Sequence, residues 1–347
     1  MRVRVSPDFA RREFIGGMAA LAAAAVLPCR AATEPAAKSV RIDVHHHFLT
    51  PETVGSARLS EPPLRRWTLQ RTLEDMDQGG VATAMLSLTT NLLSALADGA
   101  EVAARHYRRC NEYAAQLATD HKGRFGFFAG IPMADTDASL AEIDYALGVL
   151  KADGIAVFTS YGNRWLGNAA FDAVFAELDR RKAVVFAHPV AAPCCSNLIP
   201  EVGDNQIAFG TDTSYAIASM VLTGASQRFP GIRMIFCHGG GTMPFLIRRF
   251  ITAAASPRFA KLLPNGFMPE FQRYYFDVAQ IPIRPPLLAL KEVTPVSQLL
   301  YGTDFPFRGA VEHVAGLQDA RVFTPEELRA IDSNALNLVP RLQNSRR

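Results

Sequence analysis

Beyond residue 38 the chain alternates short apolar runs, rich in β-branched and aromatic residues, with longer segments of helical periodicity. Eight of these runs have the length and composition of β-strands, and several are apolar at nearly every position. Continuous apolar strands are typical of parallel sheets, because other elements cover both of their faces. The predicted strands are 40–44, 81–88, 124–129, 154–158, 183–187, 234–237, 274–278 and 298–301.

Helical signals lie between the predicted strands. Ser139 and Glu142 have the spacing of a capping box, which predicts an N-cap at Ser139, and Asn168 is a candidate N-cap of the next helix. Eight strand–helix units in about 300 residues predict an α/β fold, a TIM (β/α)8 barrel, with an open doubly wound sheet as the alternative. The absence of GxGxxG, P-loop and GxSxG sequences disfavours dinucleotide, nucleoside triphosphate and α/β-hydrolase chemistry.

The first predicted strand runs into three consecutive histidines. Side chains alternate along a strand, so Asp43, His45 and His47 are expected on one face and His46 on the other. The inward face at the carboxyl end of a barrel strand borders the active site. His45 and His47 are therefore predicted to bind one metal ion together, although a histidine run alone is a weak signal.

Three further strands end in polar side chains, His188, His238 and Asp304. Each alone has an ordinary explanation, such as a hydrogen-bonded histidine or a helix-capping aspartate, but the barrel would bring all of them to one end. With His45 and His47, His188 and Asp304 supply three nitrogen donors and one carboxylate. This set favours Zn²⁺, with Mn²⁺, Fe²⁺ or Co²⁺ as alternatives. His238 is then the candidate acid/base.

A single ion is expected, because the fourth strand offers no Lys, Glu or Cys to bridge a second one. The four cysteines of the body show no disulfide framework, and adjacent cysteines cannot easily form an unstrained mutual bridge. We therefore predict packing roles for all four, Cys110, Cys194, Cys195 and Cys237.

The formal net charge of +3 comes from the amino terminus. Without the five arginines and two acidic residues of positions 1–32, the chain carries 31 residues of each sign. The body is neutral, so the charge pattern indicates no nucleic-acid or acidic-membrane partner.

Residues 1–32 resemble a twin-arginine export signal, since Arg11 and Arg12 precede an apolar segment, 16–27, and small residues follow. That segment is shorter than the ~20 residues that a membrane-spanning helix needs. We expect export to the periplasm, cleavage near Ala31 or Ala32, no membrane segment in the mature protein, and one barrel domain over residues 33–347.

Nearly all of residues 40–340 resembles the amidohydrolase superfamily, in particular its aminocarboxymuconate-semialdehyde decarboxylase-like branch and the 6-methylsalicylate decarboxylase-like members of that branch. The matching stretches are IDVHHHFLTPE, LEDMDQGGVATAMLSL, GRFGFFAGIPMAD, ADGIAVFTSYGNRWLGN, AVVFAHP, MIFCHGGGTMPFL, RYYFDVA and LLYGTDFPF. The resemblance implies a barrel of the metal-dependent hydrolase type that binds one divalent ion. It assigns the ligands to His45, His47, His188 and Asp304, and an acid/base role to His238.

The resemblance further implies non-oxidative decarboxylation of a small aromatic, hydroxybenzoate-like or enol-type carboxylic acid without an organic cofactor. Asp304 or His238 would deliver a proton to the carbon that loses CO₂. A metal-dependent hydrolase of a lactone or amide at the same mononuclear site is the alternative, and a non-catalytic metal-binding protein is a third. The expected partner is thus a small carboxylic acid, and relatives imply a possible homodimer.

Aromatic residues near the predicted barrel rim could hold a flat substrate ring, although each could equally pack in the core or under a lid. We predict substrate contacts by Phe48, Trp67, Tyr161 and Phe305, with Trp165 and Phe307 as further candidates. Loop cations that could pair with a substrate carboxylate, or simply be solvated, are Arg65, Arg66, Arg164 and Arg308.

Overall fold

The computed structural model describes residues 40–54, 61–89 and 99–344. The predicted leader, residues 1–32, and its boundary with the barrel lie outside these ranges. Within them, no helix is both long and apolar enough to cross a membrane.

One parallel sheet of eight strands follows the order of the chain. The strands are β1 (Arg41–His47), β2 (Val81–Ser87), β3 (Phe125–Gly130), β4 (Gly154–Phe158), β5 (Val184–His188), β6 (Arg233–Phe236), β7 (Tyr275–Asp277) and β8 (Leu299–Leu300). Each overlaps one of the strands predicted from the apolar runs. Because strand order never reverses, as it would in a doubly wound sheet, the barrel prediction is confirmed.

The first and last strands meet and nearly close the barrel. The backbone N–H of Val44 donates to the carbonyl of Tyr301 at 3.0 Å, and further along the N–H of His47 donates to Phe305 at 2.8 Å. Between them the N–H of Asp304 donates to the carbonyl of His45 at 2.8 Å. The seam therefore places the segment after β8 beside the end of β1.

Helices surround the barrel, and a short antiparallel pair, Ser160–Tyr161 with Arg164–Trp165, follows β4. The α-helices of the described residues are Pro51–Val54, Pro62–Arg65, Leu69–Gln78, Ala100–Asp120, Thr136–Ile143, Asp172–Arg180, Ala208–Leu222, Ala225–Arg228, Met243–Ala254, Pro257–Ala260, Phe267–Phe271, Arg284–Val293, Ala310–Asp319, Pro325–Ser333 and Arg341–Asn344.

The predicted capping box at Ser139 is wrong. The helix begins earlier, because the carboxylate of Asp135 accepts a hydrogen bond from the N–H of Ala138 at 3.0 Å. Ser139 is buried inside the helix, and Glu142 accepts hydrogen bonds from elsewhere in the fold. The Asn168 prediction is confirmed in part, since its side chain caps the short 3₁₀ turn that leads into Asp172–Arg180.

The barrel interior is a separate apolar cluster to which side chains of different strands contribute, among them Val44, Phe128 and Phe186. A β-bulge interrupts β1 between Asp43 and His46. The carboxylate of Asp43 lies 3.0 Å from Nδ1 of His46, so the prediction that Asp43 shares a face with His45 and His47 is wrong. The bulge resets the alternation of side chains along the strand.

The cysteines divide into two pairs. Cys110 and Cys237 are buried, as expected of packing residues. Cys194 and Cys195 instead form a disulfide between adjacent residues. They lie in the surface segment after β5, where Cys194 is exposed and Cys195 half-buried, so the packing prediction is wrong for these two.

Candidate active site

Four side chains that are distant in sequence meet at the carboxyl end of the barrel. His45 and His47 come from β1, His188 ends β5, and Asp304 lies on the segment after β8. One potential ligand atom from each lies within 4.8 Å of the others, and all four residues are buried. These are the four residues that the strand-end pattern predicted would converge.

The carboxylate of Asp304 lies against two imidazoles. Its Oδ1 atom is 3.0 Å from Nε2 of His47 and 3.2 Å from Nε2 of His45. The two Nε2 atoms are themselves 3.2 Å apart. The three atoms are thus close enough for one cation to bind between them.

Hydrogen bonds to the Nδ1 atoms fix the orientation of the three imidazoles, so that each Nε2 faces the centre of the cluster. Nδ1 of His45 lies 2.9 Å from Oδ2 of Asp277, and Nδ1 of His188 lies 2.8 Å from the carbonyl of Pro189. Nδ1 of His47 lies 3.3 Å from the carbonyl of Ser87. Because these partners accept hydrogen bonds, each Nδ1 carries a proton, and each imidazole in its neutral form presents an Nε2 lone pair inward.

This arrangement fits a divalent cation. Three inward lone pairs surround a carboxylate whose Oδ1 is buried without a hydrogen-bond donor. Such a concentration of acceptors is unfavourable unless a positive charge lies among them. Three nitrogens and one oxygen form a donor set that Zn²⁺ and other divalent transition metals accept.

The pKa shifts of Asp304 and His188 agree with the ionisation states that metal ligands need. That of His45 does not, because burial would lower its pKa but Cys237, Asp304 and Asp277 hold it well above its ordinary value. Burial would raise the pKa of Asp304, but the nearby imidazoles of His45, His238 and His47 hold it well below its ordinary value. Burial, and then the neighbouring His47 and His45, lower the pKa of His188 far below its ordinary value. Asp304 is therefore ionised and His188 neutral.

His238 lies beside the four-residue cluster rather than in it. Its Nε2 is 3.4 Å from Oδ2 of Asp304, and its ring stacks on that of His45 at 5.1 Å between centroids. His238, Gln280 and Asp304 have φ angles of +53°, +61° and +69°. The left-handed region is costly for such residues and recurs at functional sites, where the surrounding structure maintains it.

Asp277 is a site residue that the sequence reasoning missed. Its Oδ1 accepts hydrogen bonds from the backbone N–H of His238 at 2.8 Å and of Ala279 at 3.1 Å, while Oδ2 contacts His45. Burial opposes ionisation, but the charges of His45 and His238 and their hydrogen bonds lower the pKa of Asp277. Its position at the end of β7 was a signal of the same kind as those that identified the four-residue cluster.

A cavity of about 690 Å³ opens above the cluster. His47, His188, His238 and Asp304 line its floor, and among the described residues Phe209, Phe307, Thr242 and Gln280 contribute to its wall. The ring of Phe209 packs edge-on against His188 at 6.3 Å and that of Phe307 against His47 at 6.2 Å. Two aromatic rings of the cavity wall therefore lie beside the candidate ligands, whereas much of the remaining lining is polar.

None of the four aromatic residues predicted to bind substrate lines this cavity. Phe48 and Trp67 belong to the apolar core outside the barrel, and Phe305 stacks on His46 at 4.6 Å. The hydroxyl of Tyr161 accepts the N–H of Phe158 at 2.9 Å. The aromatic rings of the cavity wall belong instead to Phe307 and Phe209. Phe307 was a further candidate from the sequence, whereas Phe209 was not predicted.

Gly241 brings two segments of the cavity wall together. It has φ +65°, and a side chain there would overlap the backbone of Gly210 at the start of the helix Ala208–Leu222. The N–H of Thr242 donates to the carbonyl of Gly210 at 3.2 Å. The glycine run after β6 therefore allows this helix, which carries Phe209, to approach the site.

The fold and this site define a barrel enzyme of the amidohydrolase type. Residues 42–338 match the family described as Amidohydrolase, and the chain belongs to that family. The resemblance that the sequence motifs indicated is thus confirmed.

Several proteins that are similar to this chain are named decarboxylases. The chain is 34% identical over 319 residues to 6-methylsalicylic acid decarboxylase of Penicillium expansum, covering 87% of this chain and 97% of that protein. A Rhizobium 2,6-dihydroxybenzoate decarboxylase structure superposes with a TM-score of 0.77 at 20% identity, over 86% of this chain and 98% of that one. The structure of a Polaromonas dihydroxybenzoic acid decarboxylase, with bound manganese and the inhibitor 2-nitroresorcinol, superposes with a TM-score of 0.72 at 19% identity. The match covers 86% of this chain and 96% of that one.

Proposed function

We propose that the protein is a metal-dependent, non-oxidative decarboxylase of a small aromatic, hydroxybenzoate-like carboxylic acid. The observation that carries the proposal is the buried cluster of three imidazoles and the Asp304 carboxylate at a cavity to which Phe209 and Phe307 contribute aromatic rings. The relatives named for decarboxylation of methylated and hydroxylated benzoic acids support this substrate class.

His45, His47, His188 and Asp304 would hold one divalent ion. When bound, the ion would supply positive charge that stabilises the negative charge developing on the substrate. The donor set suits Zn²⁺, and the manganese in the Polaromonas relative makes Mn²⁺ an equal candidate.

The reaction needs a proton at the ring carbon that bears the carboxylate. That carbon gains the proton, its bond to the carboxyl carbon breaks, CO₂ leaves, and the bonding electron pair restores the aromatic ring. We assign the proton to the pair formed by His238 Nε2 and Asp304 Oδ2, which lie 3.4 Å apart. Because its pKa is low, Asp304 rests as a carboxylate, so His238 supplies the proton directly or through Oδ2.

The rings of Phe209 and Phe307 would hold the substrate ring over this pair. Both are half-buried and border the cavity beside candidate ligands, where they can contact a flat molecule and exclude water. The hydroxyl of Thr242 borders the same space and could meet a substrate oxygen.

A substrate screen tests the proposal. Protein loaded with Zn²⁺ or Mn²⁺ is incubated with 6-methylsalicylate and dihydroxybenzoates, and CO₂ and the decarboxylated phenol are measured by mass spectrometry. We expect stoichiometric CO₂ and phenol from at least one acid, and about 10²–10⁴-fold slower release from the matched His238→Asn variant. Release of an acid from a lactone or amide without CO₂ would show a hydrolase at the same site, and cation binding without turnover would show a non-catalytic protein.

A further inference from the structure

The two carboxylate oxygens of Asp304 have different surroundings. Oδ1 faces Nε2 of His45 and His47 and has no hydrogen-bond donor. Oδ2 accepts a hydrogen bond of 2.8 Å from Nε2 of Gln280 and lies beside His238. One oxygen is thus directed to the candidate metal position and the other to the candidate acid/base.

The orientation of the Gln280 amide is set from the protein surface. Nε of Arg308 donates a hydrogen bond of 3.2 Å to Oε1 of Gln280. A guanidinium has only donors, so the amide oxygen must face Arg308 and the NH₂ group must face Asp304. Arg308 is half-exposed and pairs with Glu312, four residues further along the chain, at 2.7 Å.

The backbone of Gln280 is also held in place. The residue has φ +61°, and the preceding Ala279 donates its N–H to Oδ1 of Asp277. Asp277 in turn contacts Nδ1 of His45. The turn after β7 therefore fixes Gln280 relative to the first candidate ligand.

We propose that Gln280 is a positioning residue for Asp304, and that Arg308 acts only through Gln280. The Gln280 amide holds Oδ2, which keeps Oδ1 directed at the three imidazoles, and Arg308 prevents the amide from turning over. The kinetic part of this inference rests on the proposed function, whereas the cation-binding part stands independently of it.

The test measures Mn²⁺ affinity of the full chain by titration calorimetry, and kcat and KM where a substrate is known. We expect Gln280→Leu to weaken Mn²⁺ binding about tenfold and to lower kcat at least as much, because loss of an outer partner typically costs about 10–100-fold. KM should stay within about threefold. Arg308→Ala should give a smaller loss, and Gln280→Leu/Arg308→Ala should match Gln280→Leu alone, since residues acting in series are not additive.

Arg329→Ala serves as the matched control, because Arg329 is exposed and pairs with Glu326 of its own helix, Pro325–Ser333. It should leave both quantities unchanged. Gln280→Leu protein that melts at the parental temperature and binds Mn²⁺ with parental affinity would overturn the proposal. A raised KM with unchanged kcat and Mn²⁺ affinity would also overturn it, since Gln280 would then bind substrate directly. Losses that add in the double variant would refute the role of Arg308.

Discussion

The imidazole of His45 and the carboxylate of Asp277 are both fully buried, with Nδ1 and Oδ2 2.9 Å apart. The other oxygen of the same carboxylate accepts the backbone N–H of His238. One aspartate therefore orients both a candidate metal ligand and the candidate acid/base.

Asp277→Asn should weaken metal binding and activity by about 10–100-fold. The amide can donate to Nδ1 of His45, which would move the imidazole proton to Nε2 and remove an inward lone pair. Calorimetric titration with Mn²⁺ measures the effect. Asp319→Asn, at an exposed helix position, is the control and should bind as the parent does. Parental affinity in Asp277→Asn would show that His45 does not depend on this contact.

His188→Ala should deplete the purified protein of metal, because it removes one of four donors from a buried site. Metal content per chain, measured by plasma mass spectrometry, should fall well below that of the parent. His121→Ala, at the end of the helix Ala100–Asp120, should retain full content. Full occupancy in His188→Ala would remove His188 from the proposed ligand set.

His238→Asn should keep its metal and lose turnover by about 10²–10⁴-fold, the usual contribution of a general acid/base. His238 lies outside the four-residue cluster, so the two measurements should separate. Undiminished decarboxylation would assign the proton transfer to another group, whereas loss of metal would place His238 among the ligands.

Much of this site was predictable because residues that follow the strands of a barrel in sequence lie together at one end of it in space. A polar residue after an apolar strand lies at the same end as the others, which brings His45, His188 and Asp304 together without any contact being known in advance. Asp277 follows the same rule. It was missed because a lone aspartate inside a predicted strand, 274–278, is a weak signal.

The errors have local physical causes. Alternation along β1 fails at a bulge, which places Asp43 with His46. The capping box at Ser139 fails because Asp135 supplies a better-placed acceptor for the same helix. The contribution of Phe209 to the cavity wall could not be predicted from the sequence. Phe209 follows the long segment after β5, and tertiary packing determines the path of that segment.

His313 should make stability sensitive to acid. It is buried, neither ring nitrogen has a hydrogen-bond partner, and burial lowers its pKa to about 4. As pH falls from about 6.5 to 4, the unfolded chain gains a proton at this site that the folded chain does not. The free energy of unfolding should therefore fall by up to about 3 kcal/mol over that range.

His313→Phe should remove this part of the pH dependence. Guanidinium unfolding of both proteins at pH 7.5 and 4.5 gives the two differences, so that any constant effect of the substitution cancels. Equal losses in the parent and in His313→Phe would show that His313 contributes nothing to acid sensitivity.

The amino-terminal segment leads us to propose export. Arg11→Lys combined with Arg12→Lys should retain the protein in the cytoplasm, because a receptor reads the arginine pair. Fractionation of cells expressing each form, followed by immunoblotting, measures the distribution. Arg2→Lys combined with Arg4→Lys preserves the pair and should be exported. Periplasmic protein from the first variant would refute the proposed signal.

The candidate metal ligands and the residues of the cavity wall belong to different parts of the chain. Three candidate ligands lie at strand ends, and Asp304 is hydrogen-bonded to the end of β1 through its backbone, whereas Phe209 and Thr242 belong to segments outside the sheet. Sequence changes in those segments would reshape the cavity and leave the candidate metal ligands in place. We expect that homologues which keep the four donors differ mainly in these outer segments, and therefore in the molecules that they bind.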